Sequence, residues 1–193
     1  VSLGAAETTL IQLTNAYCTF ANGGKKVTPI FIDRIQDRRG KTIFNADKRK
    51  CIGCENMSYL KDEIPTIQDN REQIISPETA YQITSMMEGV VKRGTGKKLR
   101  DLNLNLAGKT GTIRKAISGG YADDRHSSSF AGVIPAKNPR LAMVVIVDDP
   151  QGGKYYGGLV AAPVFAEVMT GAMRLLNIAP DNLPISQLQV AQK

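Results

Sequence analysis

The sequence predicts an α+β domain, a sheet of consecutive antiparallel strands with helices packed on it. Three observations carry this. Residues 8–21 and 76–94 each place apolar residues at helical spacing between a polar cap and a glycine stop. Three strand-like runs then follow one another between residues 102 and 147, joined only by turns, which leaves no crossover for a parallel sheet. A last helical stretch follows Tyr156.

Taken in order, Thr8 or Thr9 caps the first helix, Leu10, Leu13, Tyr17 and Phe20 recur along it, and Gly23-Gly24 stops it. The stretch "VTPIFIDRIQDRRGKTIF" reads as two strands turning at Arg39-Gly40. Residues 45–71 are polar and without a clean period, and read as a surface excursion. They hold Cys51 and Cys54, whose spacing is that of half a zinc site or a redox pair; the only further candidate ligands are Cys18 and the single histidine, His126. A local disulfide or two plain thiols is the expectation, and no metal.

Ser76-Pro77-Glu78 starts the second helix with a cap, a proline at the first position and an acid facing the helix dipole. Ile83, Met86, Met87, Val90 and Val91 are its expected buried face, and Gly94-Thr-Gly96 ends it. The first strand is expected to begin with the alternation of Leu102, Leu104 and Leu106, the second to cover residues 127–134 and the third residues 141–147. The third, LAMVVIV, is apolar throughout, as in a strand covered on both faces. Val160, Val164, Val168, Ala172 and Leu175 form the apolar stripe of the last helix, and residues 185–193 are a polar tail.

With 193 residues, 42% hydrophobic and 22% charged, the composition is that of one globular domain with a core. Net charge is +7, yet the basic residues are scattered in short runs (Lys48-Arg49-Lys50, Lys97-Lys98, Arg114-Lys115) without interleaved aromatics. Solvated surface charge is the reading, and nucleic acid is not an expected partner. No apolar run approaches the ~20 residues of a membrane helix. The chain opens on "VSLGAAETT" without a secretory leader, which reads as a cytosolic protein or a piece of something larger.

The chemistry concentrates in "NLAGKTGTIRKAISGG", residues 105–120. A glycine beside a lysine raises phosphate binding, but a P-loop needs a glycine five residues upstream of its Gly-Lys and a helix after it. Neither is found. Lys-Thr-Gly is also the third motif of serine enzymes that react with penicillin, and the physics of that use is coherent. On an edge strand, Lys109 brings a positive charge to a cleft. Thr110 and Thr112 point the same way, by the period of two, so their hydroxyls can hold a substrate carboxylate. Gly111 lets a peptide lie against the strand. The Thr112 N–H can stabilise the oxyanion of an acyl-transfer intermediate.

From Ala107 to about Pro184 the chain resembles the class B penicillin-binding proteins, the division and elongation transpeptidases, through "AGKTGTIRK", "GGYADDRHSSSFAGVIPAKNPRLAMVVIVDDP", "KYYGGLVAAPVF" and "NIAPDNLP". Before the motif, "SLGAAETTLIQLTNAYCTFANGGKKVTPIFIDRIQDRRGKTIF" and "ISPETAYQITSMMEGVVKRGTGKKL" are similar to the bifunctional class A proteins. The resemblance implies a serine β-lactamase/penicillin-binding transpeptidase-like fold of which residues 1–184 form the C-terminal portion. It implies a D,D-transpeptidase that cross-links peptidoglycan stem peptides through a serine acyl-enzyme, with Lys109, Thr110, Gly111 and Thr112 as the substrate wall and Thr112 also as oxyanion donor. It implies β-lactam binding and no metal or organic cofactor. The implied partners are stem peptides, β-lactam antibiotics, the remainder of the transpeptidase domain in the same protein or a companion chain, and cell-division proteins. The implied location is the periplasmic side of the cytoplasmic membrane.

The family's Ser-x-x-Lys nucleophile motif belongs well upstream. Here the only such string is Ser58-Tyr59-Leu60-Lys61, in the polar excursion, and no Ser-x-Asn stands in the family's place. The chain by itself is therefore expected to be inactive. A noncatalytic scaffold, or a serine β-lactamase or D,D-carboxypeptidase, are the alternative readings. Arg125 and His126 stay open between a cleft role and a structural one, and Tyr155 to Gly158 are expected to shape the turn and helix start at the cleft floor.

Overall fold

The computed structural model describes residues 7–52, 54, 66–102 and 105–181. Contacts divide the chain into two compact units, one of Val1–Lys25 with Ile74–Lys193 and the other of Lys26–Gln73.

The smaller unit holds an antiparallel hairpin of β1 (Arg34–Gln36) and β2 (Thr42–Asn45), and a short pair of β3 (Cys51–Ile52) with β4 (Thr66–Ile67). The hairpin turns where the sequence places it. Gly40 has φ +81°, and Asp37 Oδ1 accepts from the N–H groups of Arg39 and Lys41. Cys51 and Cys54 are joined as a disulfide, and Cys18 is a free thiol whose pKa burial raises. Three hydrogen bonds, two from the Arg49 side chain and one from its backbone, hold the Asp47 carboxyl down at about 2. The polar stretch expected as an excursion over 45–71 thus belongs to a unit that also takes in the hairpin before it. Ser58 and Lys61 lie outside the described residues.

In the larger unit, three strands form a sheet in the order β5 (Ala107–Ile117), β6 (Gly120–Ile134), β7 (Leu141–Asp148), antiparallel throughout. α3 (Gly157–Leu175) covers one face; α1 (Leu10–Ala21) and α2 (Pro77–Arg93) lie on the other. Phe130, Ile134, Leu141, Met143 and Val145 alternate towards Ala161, Phe165 and Met169 of α3. Ala107, Val133 and Ala142 face Met87, Ile83 and Tyr17. The period of two along each strand decides which helix each residue meets. Both helix starts on the second face are capped as expected: Thr9 and Gln12 form a capping box, and Ser76 accepts from the Thr79 N–H with Pro77 at the first position.

Five expectations are corrected. The alternation of Leu102 and Leu106 is not the start of a strand. Leu102 ends a short 3-10 helix, Lys97–Leu102, and the strand begins at Ala107, while Leu104 lies outside the described residues. The second strand begins at Gly120, seven residues before Ser127, and its charged side chains Asp123 and Arg125 bond to Arg114 and Asp149. On α2 the buried stripe is Ala80, Thr84, Met87 and Val91, and Met86 is 66% exposed. On α3 the stripe through Val164, Val168 and Leu175 is the exposed one; Ala161, Ala162, Phe165, Ala166, Met169 and Met173 pack on the sheet. A helix apolar all round offers no periodic clue to its inner side. β7 is covered on both faces only in part, with Ile146 half exposed.

Among the described residues α3 is the one helix long and apolar enough to cross a membrane, but its inner face is buried against the sheet, as in a core helix.

Candidate functional site

β5 lies at the edge of the sheet, and its first half is where the helices converge. Thr110 pairs with Phe130 and Thr112 with Ser128, so both threonines share the α3 face of the sheet. Lys109 and Gly111, opposite Ala131 and Ser129, share the other face. The structure therefore brings Thr110 and Thr112 together, as expected, and turns them away from Lys109.

Each threonine hydroxyl has a fixed partner. Thr112 Oγ1 accepts from the Gly157 N–H at 3.0 Å. Thr110 Oγ1 lies 2.7 Å from Thr95 Oγ1, in the loop after α2. Beside them, Ser128 Oγ donates to the Tyr155 carbonyl, which ties β6 to the segment leading into α3. Lys109 is exposed and its Nζ donates to the Thr110 carbonyl at 3.0 Å.

Two glycines explain how close these elements come. A Cβ on Gly111 would collide with Ser129 Oγ, so the family glycine also makes room for a serine of the neighbouring strand. A Cβ on Gly157 would strike the carbonyl oxygens of Ser129 and Gly111. The first residue of α3 thus rests directly on the backbone of β5 and β6, which puts its N–H within reach of Thr112.

Between the loop after α2, the edge of β5 and the start of α3 lies a cavity of about 370 Å³. Thr95, Thr110, Thr112, Tyr156, Gly157 and Gly158 line it, with Lys97 and Lys98 as its charged residues among those described. Among the described residues it offers hydroxyl and ammonium groups and no carboxylate. An acceptor-only, anionic group fits that chemistry. Tyr156 is the N-cap residue of α3, which agrees with the expected shaping role of residues 155–158. The Tyr155 hydroxyl donates to that of Tyr156 at 3.3 Å, and this bond keeps the Tyr155 pKa above its ordinary value.

Arg125 and His126 are explained structurally. Arg125 pairs with Asp149 at 2.9 Å, and the His126 ring stacks on Tyr155 with centroids 4.1 Å apart. Among the described residues no three His, Cys, Asp or Glu side chains converge as a metal site would require. Sequence reasoning missed Thr95, which stands between two glycines and reads only as a helix stop; it placed Gly157 at the cleft floor but not its bond to Thr112.

A family model for the penicillin-binding protein transpeptidase domain matches residues 1–170. The chain belongs to that family. It is 36% identical over 190 residues to penicillin-binding protein 1A of Rickettsia typhi, covering 95% of this chain and 22% of that protein. It is 35% identical over 173 residues to the probable peptidoglycan D,D-transpeptidase PbpC of Pseudomonas aeruginosa, covering 89% and 25%. Among solved structures, the transpeptidase domain of Burkholderia pseudomallei penicillin-binding protein 3 superposes with a TM-score of 0.64 at 30% identity, over 92% of this chain and 45% of that one. This transpeptidase-family chain thus spans about a quarter of the length of the curated relatives it matches.

Proposed function

We propose that the chain forms the C-terminal wall of a peptidoglycan D,D-transpeptidase domain, which works together with a nucleophile-bearing part of the same protein or a companion chain. In the reaction a serine hydroxyl attacks the carbonyl between the two D-alanines of a stem peptide. The terminal D-alanine leaves, and the resulting ester is taken by the amine of a neighbouring stem. β-Lactams acylate the same serine. The terminal carboxylate of the stem peptide is held by Thr110 and Thr112, reached over the edge of β5. Lys109 supplies a positive charge from the other face, and the Thr112 N–H stabilises the tetrahedral oxyanion. The work takes place on the outer side of the cytoplasmic membrane, where the stem peptides are.

The observation that carries this reading is the pairing of Lys-Thr-Gly-Thr on an edge strand with a cavity lined by hydroxyls and two lysines and, among the described residues, by no carboxylate. Its test is labelling with a fluorescent penicillin. The chain alone is expected to stay unlabelled, and to label when a segment carrying the family's Ser-x-x-Lys is supplied. Stable labelling of the chain alone would refute the divided site and return Ser58 as the nucleophile. Rapid release of the label from the complemented protein would mark a β-lactamase instead.

A further inference from the structure

We propose that Thr95 is a positioning residue that turns the Thr110 hydroxyl into a hydrogen-bond donor for the substrate carboxylate; the proposal rests on the carboxylate reading above. The two hydroxyl oxygens are 2.7 Å apart, at the centre of the range for an O–H···O bond. Only one of the two hydrogens can lie between them, and each hydroxyl has a single hydrogen to give. If Thr110 donates to Thr95, it meets the cavity with lone pairs alone. If Thr95 donates to Thr110, the Thr110 hydrogen is free to point outward.

A carboxylate accepts and never donates, so it selects the second arrangement. The chain of bonds then runs Thr95 to Thr110 to carboxylate, each strengthening the next. Thr112 needs no such help. Its oxygen already accepts from the Gly157 N–H, which leaves its own hydrogen available. The two threonines of the motif thus become donors by different means, one through a backbone amide and one through Thr95.

Thr95 is held firmly enough for this. The Val90 carbonyl accepts from both Gly94 N–H (3.0 Å) and Gly96 N–H (3.1 Å), pinning the loop on either side of it. The start of α3 presses on the same loop, since a Cβ on Gly158 would lie 2.6 Å from the Thr95 carbonyl oxygen. The backbone at Thr95 is thereby fixed from both sides, although its side chain is exposed.

The test compares two probes on the 193-residue chain: a short peptide ending in D-alanyl-D-alanine with a free carboxylate, and the same peptide with a C-terminal amide. Binding is followed by NMR titration, and the Thr110 χ1 rotamer by three-bond couplings to its methyl carbon. Thr95→Val is expected to weaken the acid peptide by about threefold to tenfold and leave the amide peptide unchanged, because an amide can itself donate to Thr110. It should also average the Thr110 couplings. Thr95→Ser should restore both. A melting curve for each variant guards against unfolding, and the serine variant carries the comparison if valine destabilises the chain. Equal loss on both peptides, no loss on either, an unmoved Thr110 rotamer, or a serine variant no better than valine would each overturn the role of Thr95. A wild-type chain that does not distinguish the two peptides would overturn the carboxylate reading itself, and the proposal with it. Loss of discrimination in Thr110→Val but not in Thr95→Val would spare that reading and remove Thr95 alone.

Discussion

The two halves of the β5–β6 ribbon share a ladder and differ in what surrounds it. In one half, Ala107 to Thr112 pair with Ser128 to Val133, and the strands are sandwiched between α3 and the pair α1 and α2. In the other, residues 113–117 meet residues 120–127 in solvent, with Ile113, Ile117 and Tyr121 exposed. That half is fastened by side-chain charges: Arg114 to Asp123 at 3.2 Å and Lys115 to Asp148 at 2.6 Å. The register also slips between Arg114 and Ala116, where the cover ends. Backbone pairing is common to both halves, so it cannot be what makes one of them a site. The elements packed on it do that, by bringing the partners that fix the two threonine hydroxyls.

Substitutions should separate the halves by size of effect. Phe165→Ala removes the ring packed edge-on against Phe130, with centroids 4.8 Å apart, and should cost about 3–5 kcal/mol in urea unfolding. A loss below about 1 kcal/mol would mean that α3 is not docked on this sheet. Gly157→Ala drives a Cβ into backbone oxygens of Ser129 and Gly111, which cannot swing aside as a side chain would. It should cost about 1–3 kcal/mol and shift the Thr112 methyl resonance, because the helix start must lift away. An unshifted methyl would dissociate Gly157 from the site. Arg114→Ala, in the exposed half, should change stability by less than about 0.5 kcal/mol, since its partner Asp123 is almost wholly in water.

Acid gives the finest contrast. The Asp148 carboxyl is held below its ordinary value, first by the Lys115 hydrogen bond and then by that of Ser127. A depressed folded-state pKa contributes stability above the unfolded value near 3.8, and that contribution is lost as pH falls through the lowered one. Hydrogen exchange between pH 5 and pH 2 should therefore open the end of the sheet around Ser127 and Asp148 in the acid part of that window, before the amides around Phe130. Simultaneous opening would erase the distinction between the halves.

The parts legible in the sequence are those governed by local rules. The Ser76-Pro77 start, the Thr9 cap, the turn before Lys41 and the alternation through the Lys-Thr-Gly-Thr strand all follow from a few neighbouring residues. What was misread depends on partners far away in sequence. The valines of α3 outrank its alanines in hydrophobicity, yet the small residues Ala161 and Ala162 face the sheet, because close approach favours small side chains over greasy ones. The strand expected from Ser127 begins at Gly120, where its charges are satisfied by Arg114 and Asp149. The site itself was half visible: a motif names Thr110 and Thr112, but no local rule reveals that Thr95 and Gly157 complete them.

Gly157 meets Thr112 across 45 residues of chain. A ribosome adds about 5–20 residues per second, so the hairpin carrying the motif exists for several seconds before the helix that locks it has been made. During that interval the Lys-Thr-Gly strand lacks the cover of α3, and the Thr112 side chain lacks its partner, whereas Thr95, the partner of Thr110, is already made. Contacts of such separation close late in folding. The substrate wall therefore waits for a helix made after it before its second threonine is locked.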